Sequence, residues 1–146
     1  MQILSIINRL AITFWLGGTA MFTFVLTPII FKVNDRDTAG RIVGTLFPGY
    51  FKWGLACGAV SLVSMLLLRG KNVVPILLIL TLMLTLTAIQ AFFIEPRAAA
   101  LKKEIPSFVT TLKEDPLRRE FSRLHGISAV CNLSVIAGGV VIIILL

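Results

Sequence analysis

The sequence predicts an all-α fold: a polytopic membrane protein whose four transmembrane helices form an up-and-down bundle, a single domain over residues 1–146. Three observations predict it. Apolar residues make up 57% of the chain and charged ones 14%, against roughly half and about a quarter in soluble domains. Four stretches, 3–31, 42–68, 73–94 and 121–146, are long enough to cross a hydrocarbon layer of about 30 Å, which takes around 20 helical residues. Basic residues gather between alternate stretches, the pattern of loops sorted by a membrane.

The first span is about twice as long as the apolar part of a signal peptide, is interrupted by Arg9 and meets no small-residue cleavage site, so it is expected to remain attached. It carries Trp15, Gly17 and Gly18, then Thr19, Thr23 and Thr27 at four-residue spacing, which puts three hydroxyls on one face. Those hydroxyls either bond back to their own helix carbonyls or line a polar path. The connection Lys32–Thr38 offers Asn34, Asp35 and Asp37 as helix caps. Within the second span Pro48 predicts a kink, because it lacks an N–H and its ring crowds the preceding turn. Lys52 follows, either paired inside or reaching the headgroups, and Gly54 and Gly58 form a four-spaced pair that lets another backbone approach.

Arg69 to Asn72 reads as a tight turn with Asn72 as cap, and Pro75 is tolerated in the first turn of the third helix. That helix is Leu-, Ile- and Thr-rich until Gln90; Glu95 and Pro96 predict a bend into the helical stretch 98–104, which Pro106, Ser107, Thr110 and Thr111 then break. Asp115 caps a new helix with Pro116 in its first position. This last span carries His125, Ser128 and Asn132 at positions that share one face, with Phe121 one turn before them. Polar side chains in lipid turn inward toward partners, so these three are expected to face Thr19 and Thr23 of the first helix and Gln90 or Glu95 of the third, with Glu95 pairing His125. The cluster is either a site or a polar packing seam.

Eleven of the fourteen basic residues lie around connections 32–41 and 95–120, and only Arg9, Arg69 and Lys71 on the other side. The positive-inside rule then makes those connections cytoplasmic and puts both termini outside. This sorting accounts for the net charge of +7, and no basic run interleaved with aromatics points to nucleic acid. Cys57 and Cys131 fall inside spans, where a thiol acts as a small hydrophobe, and no disulfide or metal motif is expected. No repeat of 20 to 50 residues appears. Nucleotide-binding, nucleophile-elbow and zinc-protease signatures are missing, which argues against an enzyme. A lone histidine does not make a zinc or copper site, although His125 with an axial partner from another subunit would serve a haem.

Trp15-x-Gly17-Gly18, Pro28-x-x-Phe31, Phe47-Pro48-x-x-Phe51, Glu95-Pro96 and Phe121-x-x-x-His125-Gly126-x-Ser128-x-x-x-Asn132-Leu133 together resemble the TMEM205-like family, also labelled DUF4149. The resemblance implies a small four-helix integral membrane protein without an assigned activity, and importance for His125, Ser128 and Asn132, with Pro48 and Glu95 behind them. Three functional readings follow. The first is a bundle that handles a small solute, ion or lipid headgroup in an internal polar pocket; the second is an accessory or assembly subunit of a homo-oligomer or larger membrane complex in the bilayer; the third is a haem-binding redox protein.

Overall fold

The computed structural model describes residues 2–68 and 70–146, so Arg69 of the expected tight turn lies outside the described residues. Four helices among them are long and apolar enough to cross a membrane: α1 (Gln2–Val33), α2 (Arg36–Leu67), α3 (Val73–Glu104) and α4 (Pro116–Leu145). The first three have 32 residues each and the fourth 30. At 1.5 Å per residue each rod is roughly 45–48 Å long, well beyond the hydrocarbon thickness.

Caps define the helix ends. Asp35 Oδ1 accepts the backbone N–H groups of Asp37 and Thr38 at 3.0 and 2.9 Å and starts α2. Asp115 Oδ1 accepts from Leu117 and Arg118 and starts α4 with Pro116 in its first turn. Asn34 closes α1 by donating to the Ile30 carbonyl. Asn72 makes no cap bond; its amide donates instead to the Leu145 carbonyl and ties the α2–α3 turn to the end of α4. Arg9 donates to the Leu146 carbonyl beside it, a cation at a helix C-terminus, where the dipole favours positive charge.

The helices continue through the prolines. Pro96 does not break α3, and neither Pro28 nor Pro48 ends its helix. Upstream of two of the prolines the helix widens into a π turn, Phe22–Leu26 in α1 and Gln90–Ile94 in α3, closed by Thr27 N–H to the Phe22 carbonyl and Glu95 N–H to the Gln90 carbonyl. A proline ring crowds the carbonyl four residues back and offers no N–H, and a five-residue hydrogen-bond register relieves both problems. The surrounding sequences match: Thr19-Ala20 with Phe24 and Pro28 in α1, Thr87-Ala88 with Phe92 and Pro96 in α3.

Each helix packs against both its neighbours round a square, α1 to α2 to α3 to α4 and back. Packing repeats with the sequence. Trp15 of α1 lies over Gly58 of α2, as Met83 of α3 lies over Gly138 of α4; Leu84 meets Gly58, as Leu16 meets Gly139. The α1–α2 and α3–α4 hairpins thus share one plan. A Cβ on Gly58 would fall 2.5 Å from Leu84 Cδ2 and 2.7 Å from Trp15 Cζ3, and one on Gly54 2.9 Å from Trp15 Nε1. The glycine pair therefore seats an indole, where the sequence had suggested a second backbone.

The half of the bundle nearest the α2–α3 turn is apolar, built on Ile12, Trp15, Cys57, Met65, Ile76, Leu80, Met83, Val135 and Ile142. One polar pair sits within it. Ser61 donates to Asn8 Oδ1 at 2.5 Å, and both are fully buried. At the opposite end the 105–115 segment is pinned to α2, because Asp37 accepts from Ser107 Oγ at 2.5 Å and Phe108 N–H at 2.6 Å. Arg118 donates to the Thr111 carbonyl and stands over the Phe108 ring.

Candidate functional site

The polar side chains meet in the other half of the bundle, beside the two π turns. Tyr50 reaches from α2 across the square, and its hydroxyl donates to Asn132 Oδ1 on α4 at 3.0 Å. Ser128, one turn away on α4, donates to Gln90 Oε1 on α3 at 2.8 Å. Thr19 and Thr23 of α1 complete the ring around the Tyr50 hydroxyl. Thr19 is 3% exposed and Gln90 1% exposed.

Gln90 Nε2 has no hydrogen-bond partner, and Thr23 Oγ1 stands beside the Tyr50 hydroxyl without a well-aligned bond. Such groups are rare in folded interiors, because desolvating a donor without replacing its bond costs about 1–3 kcal/mol. Elsewhere the bundle satisfies its hydroxyls locally: Thr81, Thr85, Thr87, Ser64 and Ser134 each donate to the carbonyl four residues back. Of the two readings of the α1 threonine stripe, the self-bonded one thus describes α3 better than Thr23.

His125 departs from expectation. It is exposed, it stacks on Phe121 at 6.4 Å between centroids, and it does not meet Glu95. The physical reason is the path of α1: beyond its π turn, Thr27–Val33 packs against α2 rather than α4, so the α4 face bearing His125 is left uncovered. Glu95 is half-buried and its nearby charge is Lys102; the ion pair bridging α3 and α4 is Arg97 with Glu120 at 2.5 Å. Lys102 donates to the Gly40 carbonyl and occupies space over Gly40 and Gly44, where a Cβ would come 3.2–3.3 Å from Nζ. Lys52 is exposed.

Tyr50 and the Asn8–Ser61 pair were not singled out from sequence. Tyr50 sits among Phe47, Phe51 and Phe22, stacking on Phe22 at 4.5 Å, and in sequence reads as one more aromatic beside a proline. Its signal was being the chain's only tyrosine, placed where a phenol must find a partner when buried.

Among the described residues no three His, Cys, Asp or Glu side chains converge to hold a metal. The His125 imidazole is exposed with a phenylalanine ring alongside, so a haem there would need its axial partner from another subunit. Cys57 is buried, Cys131 half-buried, and both are free thiols. What the arrangement offers chemically is neutral hydrogen bonding: amide and hydroxyl donors enclosed by four helices.

No solved structure matches the chain. An uncharacterized protein of Aquifex aeolicus (strain VF5) is 30% identical over 126 residues, which cover 86% of this chain and 83% of that one. The family described as Domain of unknown function (DUF4149) matches residues 10–107, from the first turns of α1 to the end of α3 and just beyond. That stretch holds Thr19, Thr23, Tyr50 and Gln90, while the His125 to Asn132 motif lies past it. With most of its length so matched, this four-helix chain belongs to the DUF4149 family.

Proposed function

We propose that the polar ring of Thr19, Thr23, Tyr50, Gln90, Ser128 and Asn132 is a binding site that takes a hydrogen-bond-accepting group of a small solute or lipid headgroup. The observation that carries this reading is Gln90, almost completely buried at a π turn with its amide Nε2 unpartnered. A packing seam would have both ends of that amide bonded, whereas a site keeps a donor free for its ligand. π turns recur at functional positions, which supports the same conclusion. The TMEM205-like affinity of the motif Phe121 to Leu133 belongs to this proposal, as does an orientation with connections 32–41 and 95–120 in the cytoplasm. In that orientation the ring lies in the inner half of the bilayer.

The test is native mass spectrometry of the detergent-purified protein beside Gln90→Leu. Leucine removes the Ser128 bond but also the unpartnered donor, so stability changes little. A non-protein adduct carried by the wild type and missing from a folded Gln90→Leu protein is the expected result. Equal adducts on both, or a Gln90→Leu chain that no longer folds, would overturn the site in favour of a seam.

A second reading has its own observation. His125, Ser122, Gly126 and Ala129 are all exposed on one side of α4, and a polar ring flanked by small residues suits a neighbouring helix better than lipid. On this reading the chain is an accessory subunit, and Gly126→Leu would release it from a larger assembly on a native gel while leaving the monomer folded.

A further inference from the structure

Between α1 and α2, level with the first π turn, a groove of about 380 Å³ opens on the outer surface of the bundle. Gly18, Phe22 and Leu26 line it from α1, and Gly49, Tyr50 and Trp53 from α2. It is open beside Gly49, where a Cβ would meet nothing within 4 Å. Its inner wall is the Tyr50 ring stacked on Phe22, and the hydroxyl of that same ring stands inside the bundle at Asn132. Thr23, next to Phe22, holds its Oγ1 against the Tyr50 hydroxyl, poorly aligned with it, behind this wall.

An apolar trough and an unsatisfied polar ring thus share one partition, a single tyrosine. We infer that the ligand is a single-chain amphiphile with an oxygen-acceptor head, of the free fatty acid type, its chain lying in the α1–α2 groove and its head reaching Thr23 and Tyr50 when the Tyr50 ring turns aside. The chemistry of each part selects this class. The trough offers only contact to methylenes, so it suits an unbranched chain, and the bilayer supplies chains from that side. Gln90 Nε2 can only donate and the Thr23 hydroxyl can do so as well, so the head that satisfies both accepts hydrogen bonds. A purely water-soluble solute would use the ring and have no need of the groove; an ordinary two-chain phospholipid keeps its head at the interface.

This inference rests on the polar ring being a site, and it adds the ligand class. Trp53 reports it directly, since its indole is half exposed at the groove mouth while Trp15 is buried at 1%. The protein is placed in nanodiscs of unbrominated lipid and titrated with dibromostearic acid, whose bromine quenches a nearby indole on contact. Expected are saturable quenching that stearic acid reverses and hexadecane does not, its disappearance in Gly49→Leu and Trp53→Phe, and an affinity about threefold to tenfold weaker in Thr23→Val, the worth of one intramembrane hydrogen bond. Gly49→Leu fills open space, so it folds. Quenching that rises linearly with the fraction of brominated chain and is the same in Gly49→Leu would mean annular lipid alone and overturn the inference. Saturable quenching unchanged by Thr23→Val and reversed by hexadecane would overturn it as well. In either case the polar site stands or falls separately, on the adduct lost in Gln90→Leu.

Discussion

Tyr50 and Asn132 carry the bond that crosses the bundle, and a single atom tests it. Tyr50→Phe keeps the ring stacked on Phe22 and removes only the hydroxyl. Intramembrane hydrogen bonds average about 0.6 kcal/mol and reach about 1.7, because the unfolded chain in lipid also finds partners. The expected loss is therefore about 1 kcal/mol, read as a lower midpoint in denaturant-induced unfolding in micelles. A loss of several kcal/mol would show that the bond anchors the whole polar ring. His125 gives the opposite expectation: being exposed and without a hydrogen bond inside the bundle, it should tolerate His125→Ala with the same unfolding midpoint as the wild type. Both side chains show where sequence arithmetic reaches its limit. Spacing puts Ser128 and Asn132 on one face of α4, since a helix fixes which residues share a face, and the two bond to α3 and α2. It could not say which neighbour covers that face at each depth, and the divergence of α1 from α4 after its π turn uncovers His125.

At the level of the helices, glycines and caps do the positioning. Gly58→Ala would drive a methyl into both Leu84 and Trp15, and overpacking of this kind costs about 1–3 kcal/mol. Gly17→Ala, where a Cβ meets nothing within 4 Å, should leave stability unchanged or raise it, and comparing the two midpoints checks the claim. The start of α2 depends on pH through its cap. The N–H of Thr38, before any other group, holds the Asp35 carboxyl below the usual carboxylate range. A folded-state value below the unfolded one stabilises at pH above the unfolded value, and that contribution drains away as pH falls through the folded value. Hydrogen exchange of the first α2 amides in wild type and Asp35→Ala should therefore differ above about pH 4 and converge in stronger acid. Asp35 and Asp115 were legible as caps because the motif is local. The π turns were not: Pro28 and Pro96 announced a disturbance, and a local shift to a five-residue hydrogen-bond register carries the helix through each.

For the whole molecule, the four-helix architecture was legible because span length and hydropathy answer to the bilayer alone, while the site depended on which helix stands beside which. The sequence ends of the rods also carry the topology. The helices are longer than a hydrocarbon layer needs, and Lys32, Arg36, Arg41, Arg97, Lys102, Lys103, Lys113, Arg118, Arg119 and Arg123 all lie at one end of the bundle, on the helix ends and on the segment pinned by Asp37. Such residues near span ends resist translocation, and the opposite end, with Arg9 turned onto the Leu146 carbonyl, presents little to compete. A phosphatase reporter fused after Leu146 is accordingly expected to be active, as an exported enzyme, and one inserted near Lys103 inactive. The reverse pattern would put the polar ring in the outer half of the bilayer. To separate charge from helix length as the cause, Lys102, Lys103 and Lys113 are changed together to Gln while three lysines are inserted beside Lys71. If charge decides, the second reporter gains activity as the population of inverted molecules grows; if the long α2 and α3 stems decide, the pattern stays as it was.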